Sequence, residues 1–485
     1  MRLDRRLVAH EAIAATGLTA AIVRSGGFLF GRQLLGAVVA FFGMLALARL
    51  LGPERSGVCF TAFGIVFFVL YVARLGLDAY LLRAPGEVDK ATLDQVFALL
   101  CGLGIAAGGL VAGSSPLVAG ALRMPAVEGP ILAMAATIPV MHLYRVPLAK
   151  LEREIAFGRI GIAELAAQAL FFAVAIPAAV AGLGAYAPVL GWWAQQLAML
   201  VACFRLAGYR PGLAWSPALA REALAHGSLV MGSILIQSLR SLIVPIVVGG
   251  TQGPAVVGIV ALAVRLIETL SMARTVLARI AVPLLGRLAG DRRRLLATLR
   301  LGIEAQTVAV AAPVILFSLL AGQLVPRLFG PGWQEVAKMV TLLAPSAIVG
   351  AVFSLHTQLL MTEARPRALV LAQAAATALA WLTAAALVPR LGAAGYACAE
   401  LAAAAAWIIA ARVVARRFGK VGYGPAGVWA VAASTAALAP LTSWWLLLSL
   451  PALGLHPATR RAVRNLARAI SGSAPGSSGG RAATG

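Results

Sequence analysis

Arginines and glutamates stand inside long apolar runs of this sequence, and they are its candidates for chemistry. Arg240 lies in the middle of the run 227–249. Arg265 and Glu268, three residues apart, share a helix face within 256–279, and Arg274 follows two turns on. Arg32 stands near the start of the run 27–48. A charge at membrane depth costs several kcal/mol, so each must face a partner or a wet cavity. One reading is structural: Arg265 pairs with Glu268, while Arg32 and Arg274 extend to the interface along their apolar stems. Arg240 fits that reading least, because it lies so far from either end of its run. Guanidinium groups in a water-filled cavity suit phosphate or pyrophosphate, since they donate paired hydrogen bonds and keep their charge. Arg240, Arg265, Glu268, Arg274 and Arg32 are therefore the expected substrate-binding set. Glu268 offsets one arginine and leaves a net positive site.

Glu164, Glu268, Glu304 and Glu400 are the acidic residues at depth, each a candidate for a coupling cation or proton. Glu164 and Glu304 fall about one turn inside their runs, an interfacial position. His142 and His356 occupy comparable late positions in two runs and read as packing residues. No catalytic constellation appears: the sequence lacks His-Glu-x-x-His, Gly-x-Ser-x-Gly and a phosphate-binding loop ending in Lys-Ser/Thr. Gly102, Gly104 and Gly108 sit inside an apolar run, where small residues let helices approach. Cys59, Cys101, Cys203 and Cys398 lie singly, without metal spacing. No enzyme activity, metal or cofactor is expected. Trp192-Trp193 and Trp444-Trp445 suit interface anchors.

The elements that must hold these residues are membrane helices. The 485 residues are 61% hydrophobic and 12% charged, with a mean hydropathy of +0.89. A soluble chain has about twice that charged fraction. Apolar runs of about 18 to 25 residues recur along nearly the whole length, each long enough to cross a bilayer. The chain is expected to be an all-α polytopic membrane protein. The net charge of +23 does not imply nucleic acid, because the basic residues gather in loops on one side. Residues 1–26 form a cytoplasmic N-terminal segment without the features of a cleavable signal peptide.

Two turns organise the runs. Gly52-Pro53-x-x-x-Gly57 and Gly253-Pro254-x-x-x-Gly258 share a pattern at an offset of 201 residues, and Gly182-x-Gly184-x-Tyr186-Ala187 matches Gly392-x-x-Gly395-Tyr396-Ala397 at 210. The two halves thus read as a duplication. An N-terminal six-helix lobe is expected over 27–208, a central cytoplasmic loop over 209–226, and a C-terminal six-helix lobe over 227–413. A C-terminal transmembrane hairpin follows at 426–455, then a basic and disordered cytoplasmic tail at 456–485. This totals 12–14 transmembrane helices; a single crossing at 426–455 is the alternative. With the N-terminus inside, the inner segments hold 31 Lys and Arg and the outer loops 6. That bias places both termini in the cytoplasm. Six is even, so the halves are parallel repeats, an arrangement that encloses a central cavity and works by alternating access.

Ala48-Arg49-Leu50-Leu51-Gly52-Pro53-x-x-x-Gly57 with Arg74-Leu75-Gly76-Leu77 resembles the opening of bacterial polysaccharide exporters. These are flippases of the multidrug/oligosaccharidyl-lipid/polysaccharide (MOP) exporter superfamily. Gly253-Pro254-Ala255-Val256-Val257-Gly258, Ala263-Val264-Arg265-Leu266, Pro283-Leu284-Leu285-Gly286-Arg287-Leu288 and Leu328-Phe329-Gly330 extend the resemblance over about 25–415. It implies two lobes around a cationic cavity in the bacterial inner membrane. The implied substrate is an undecaprenyl-pyrophosphate-linked oligosaccharide: an O-antigen, capsule or exopolysaccharide repeat unit. It also implies an ion gradient of H+ or Na+ as drive, with membrane lipids and polysaccharide polymerases as partners. A peptidoglycan lipid-precursor flippase or a drug/cation antiporter is the alternative within the superfamily. Arg32, in a first span without a carboxylate, weakens the antiporter. A membrane-embedded glycosyltransferase or polymerase is the alternative of another class. The short stretches between runs leave little room for its soluble domain.

Overall fold

The structure is a computed structural model describing the backbone of residues 2–84, 86–212, 215–288, 290–362, 366–451, 457 and 459–460. Side chains are described from Leu35 onward, outside 226–231, 233–234, 279–280, 282–283 and 361–366. Arg32 and most of the tail at 456–485 lie outside the residues so described.

Helices carry the chain from end to end, and no strand occurs among the described residues. In order they are α1 (Arg2–Ala73), α2 (Leu77–Arg83), α3 (Lys90–Ala121), α4 (Glu128–Ala135), α5 (Thr137–Leu143), α6 (Arg145–Arg153), α7 (Phe157–Val180) and α8 (Tyr186–Ala207). There follow α9 (Pro217–Ser241), α10 (Gly249–Gln252), α11 (Pro254–Leu270), α12 (Met272–Arg287), α13 (Arg292–Phe329) and α14 (Gln334–Thr362). The last four are α15 (Pro366–Leu391), α16 (Ala393–Ala405), α17 (Trp407–Phe418) and α18 (Gly424–Ala437). Among the described residues, ten helical stretches are long and apolar enough to cross a membrane, or eleven if the bent pair α11–α12 counts as one span. Many of their large apolar side chains point outward, such as Leu110, Leu117, Val180 and Leu382. In a soluble protein such a surface would aggregate; here lipid covers it. The chain is an all-α polytopic membrane protein.

It divides into two compact units, Met1–Ala121 with Pro125–Met231, and Leu122–Met124 with Gly232–Gly485. In the first, α1 is two arms rather than one rod. Gly52 has φ 70 and ψ 175, a conformation essentially restricted to glycine, and Pro53 opens the second arm. The first arm follows α7: Gln168 Nε2 donates to Gly36 O at 3.2 Å, and Leu47 and Leu51 pack against Ala175, Ala178 and Ala179. The second arm follows α8, with Phe63 and Phe67 on Trp192. Since α7 and α8 form an antiparallel hairpin, the chain reverses at Gly52.

The second unit repeats this turn. Gly253 has φ 82 and ψ 177 and is followed by Pro254, matching Gly52 and Pro53. Gln252 beside this turn donates from Nε2 to Val388 O at 3.1 Å, tying it to the α15–α16 hairpin. The first unit has the same neighbourhood, where Arg55 lies against the Gly184 turn between α7 and α8. A third pair is visible only in the backbone. Arg123 (φ 53) precedes a 3-10 turn at Pro125–Val127, and Gly330 (φ 104) precedes one at Pro331–Trp333.

Within 426–455 the helix is α18, followed by short 3-10 turns at Ala439–Leu441 and Trp444–Leu448. The chain doubles back there: Ser449 Oγ donates to Ala432 O at 2.9 Å, and Trp429 Nε1 to Thr459 Oγ1 at 2.8 Å. On the returning segment, residues 449–451, 457 and 459–460 are helical. Trp444 and Trp445 are exposed on it.

Candidate functional site

The charged residues of the second unit gather from three stretches of chain. α9 ends on Arg240 and Ser241. α11 carries Arg265 and Glu268, α12 carries Arg274, and α16 carries Glu400. Arg240 Nη2 donates to Glu400 Oε2 at 2.6 Å, and both side chains are partly buried. Tyr396, one turn before Glu400 and itself buried, lies against that carboxylate. Arg240 therefore has a partner in Glu400, where its own span and that of Arg265 offered only Glu268. That partner stands 160 residues away and so escapes any reading along the two spans alone.

Arg265 and Glu268 do pair, with Nη1 to Oε2 at 3.3 Å. Their side chains are 59% and 56% exposed. On the same helix Val257, Val260, Leu262, Ala263 and Leu266 are buried, so the charges occupy the outward face. Thr269 stands on the same exposed face, its Oγ1 donating to Arg265 O at 2.9 Å. Three residues beyond Glu268 the helix breaks. α12 leaves at 43° to α11, with Ser271 between them. Broken helices at ion and substrate sites are a recurring device of transporters. Arg274 lies just past the break, within the field of Glu268 but without an ion pair among the described residues. Three arginines against two glutamates leave one positive charge.

The other ionisable residues are engaged elsewhere. Glu304 is buried and accepts from Arg300 Nε at 2.9 Å. His356 Nε2 is hydrogen-bonded to Tyr423 Oη at 2.6 Å, and His142 Nδ1 donates to Ile138 O at 2.8 Å. Among the described residues, no three His, Cys, Asp or Glu side chains are placed to hold a metal ion.

Residues 46–338 match the model of a family described as "Polysaccharide biosynthesis protein". The chain belongs to that family. Solved structures with this fold include a lipid II flippase, MurJ, in an inward closed conformation. It shares 12% identity with this family member at a TM-score of 0.66, over 90% of this chain and 100% of that one. An inward-facing multidrug resistance MATE transporter of the MOP superfamily aligns at 18% identity and a TM-score of 0.61, over 78% of this chain and 94% of that one. A crystal structure of a MATE point mutant aligns at 18% identity and a TM-score of 0.51, over 81% and 95%. No curated protein matches the sequence. The fold of this family member is thus that of MOP superfamily transporters.

Proposed function

We propose that this protein is a flippase that moves an undecaprenyl-pyrophosphate-linked oligosaccharide across the cytoplasmic membrane by alternating access. The observation that supports the reading is the set of Arg240, Arg265 and Arg274 with Glu268 and Glu400, in which Arg265 and Glu268 are exposed and Arg240 and Glu400 are partly buried. A net positive group of guanidiniums complements a pyrophosphate, whose charge otherwise bars it from the bilayer. Membership of a polysaccharide biosynthesis family supports an oligosaccharide as cargo. Arg32 joins the proposed set from sequence alone. Both termini lie in the cytoplasm, as the Lys and Arg bias requires. An H+ or Na+ gradient supplies the drive, with Glu400 the acid best placed to exchange Arg240 for a cation. Polymerases of the same pathway receive the cargo outside.

Deleting the gene tests the reading. Lipid-linked repeat units should accumulate on the cytoplasmic side and surface polysaccharide should fall. A strain in which neither happens rules it out. A second reading draws on the MurJ likeness: the cargo is a peptidoglycan lipid precursor. The same strain separates the two. Viable cells with bare surfaces indicate an oligosaccharide, whereas arrested wall synthesis indicates the peptidoglycan precursor.

A further inference from the structure

The repeated turn sets two helices in register. Gly52 opens the second arm of α1 and Gly253 opens α11, and the offset of 201 residues carries one helix onto the other. Burial follows the same offset. Cys59, Ala62 and Leu70 are buried, and so are Val260, Ala263 and Ser271 at the matching positions. Each helix therefore turns the same face into its own unit and leaves the same face uncovered. In the second unit the uncovered face carries Arg265 and Glu268, with Met272 one turn on at the start of α12. The matching positions of the first unit hold Gly64, Phe67 and Tyr71. Phe60 stands one turn before Gly64 on that face. Phe60 and Tyr71 are exposed, and Phe67 is half-buried. Where the second unit has a cation the first has no side chain, and where it has an acid the first has an aromatic ring.

The rings have fixed neighbours. The Phe67 centroid lies 5.0 Å from that of Trp192 on α8. Arg145 Nη2 donates to Asp78 Oδ2 at 2.6 Å, and Arg74 beside it sets its Cζ 5.1 Å from the Tyr71 centroid. Such a cation over a ring holds both in place. Sugar rings present C–H groups on their faces and hydroxyls at their rims. Rigid aromatic side chains match the first, and the Tyr71 hydroxyl can match the second. A glycine between aromatic residues lets a ring approach the backbone closely. Acyl chains would account for Phe60 and Tyr71 alone, but not for exposed charges at the same place on the equivalent helix. We infer that Phe60, Phe67 and Tyr71, around Gly64, form a stacking surface for the sugar rings of the cargo. The inference rests on the reading of that cargo as a lipid-linked oligosaccharide, and adds which residues of the first unit meet its glycan.

Native mass spectrometry on the full-length protein in detergent tests this with two probes: undecaprenyl pyrophosphate, and the same lipid carrying a disaccharide of N-acetylglucosamine. The parent should bind the glycosylated probe more tightly. Phe60→Ala and Tyr71→Ala should each weaken that binding by roughly three- to ten-fold and leave the bare lipid unchanged. Tyr71→Trp should retain it, and Gly64→Leu, which fills the gap between the rings, should weaken it. Leu110→Ala, at an exposed apolar position on α3, should change neither probe. Phe67→Ala also removes packing on Trp192, so the exposed Phe60 and Tyr71 carry the test. Equal loss with both probes assigns the rings to the lipid and overturns the inference, as does unchanged affinity in both alanine variants. A parent that binds the bare lipid and gains nothing from the sugar overturns the sugar surface alone and leaves the flippase reading standing. A parent that binds neither probe, with a deletion strain that accumulates no lipid-linked units, overturns both.

Discussion

Arg240 and Glu400 are far apart in the chain, yet their charged atoms meet at 2.6 Å. Removing either one strands the other at membrane depth, a loss of about 3–5 kcal/mol for a fully buried pair and less for this partly exposed one. Removing both leaves no stranded charge. Arg240→Ala and Glu400→Ala should each lower the amount of protein in the membrane, and the double variant should restore it. Export should stay low in all three if Arg240 also contacts the cargo; a double variant with normal export confines the pair to stability. Arg240→Lys should keep part of the activity, because the charge survives without the planar fork. Arg265 offers a cleaner measurement, being exposed and joined to Glu268 at 3.3 Å. Arg265→Ala should leave abundance near normal while weakening cargo binding by about 1.5–3 kcal/mol. Membrane abundance and surface polysaccharide, measured side by side, check each of these outcomes.

At the level of the helices, the two units depend on the same turn and the same close hairpin. Gly52 and Gly253 share a positive φ (70 and 82) and an extended ψ (175 and 177), where a side chain is strained whatever space surrounds it. Gly52→Ala and Gly253→Ala should each cost about 1–3 kcal/mol and lower the thermal midpoint of the purified protein. Equal midpoints for variant and parent would show that the turn relaxes without strain. The hairpin of α7 and α8 is tighter still. A Cβ on Gly191 would lie 2.6 Å from Phe171 O and 2.7 Å from the Ala175 Cβ. Gly191→Ala must push the helices apart, so its loss should appear as reduced abundance even in a strain that overproduces the protein. Small residues at such contacts let dispersion and weak polar contacts replace the hydrophobic drive that lipid cannot supply.

For the whole molecule, the testable property is which way the chain crosses. The proposed topology gathers the basic loops on the cytoplasmic side, following the distribution of the 41 Lys and Arg. A reporter active only outside the cytoplasm, fused after Arg468, should stay silent, and one fused after Arg55 should be active. Activity at the first site would mean that the chain crosses once after Gly424. The hydrogen bond from Ser449 to Ala432 points the other way, since it brings the chain back along α18.

The class of the protein, the position of most spans and the duplicated turns are legible along the chain. Those properties are local: the length of an apolar run sets a span, and a glycine followed by proline sets a turn through its own backbone angles. The exporter motifs are legible for the same reason. The candidate site is legible only in its membership. Arg265 and Glu268 pair because a helix places residues three apart on one face, which spacing alone foretells. That they face outward depends on which side of α11 packs against its neighbours, and that is set by the unit as a whole. Arg240 meeting Glu400 depends on α9 and α16 lying together, a non-local arrangement with no pattern along the chain to announce it. The pair of turns at Pro125 and Pro331 escapes a reading by residue type because Arg123 does the work of Gly330, and the shared feature is a backbone angle. In the sequence Arg74 is the first residue of an exporter motif at the end of a span. Its place beside Arg145, with Asp78 already engaged, exists only in the folded chain, because charge balance depends on distances in space.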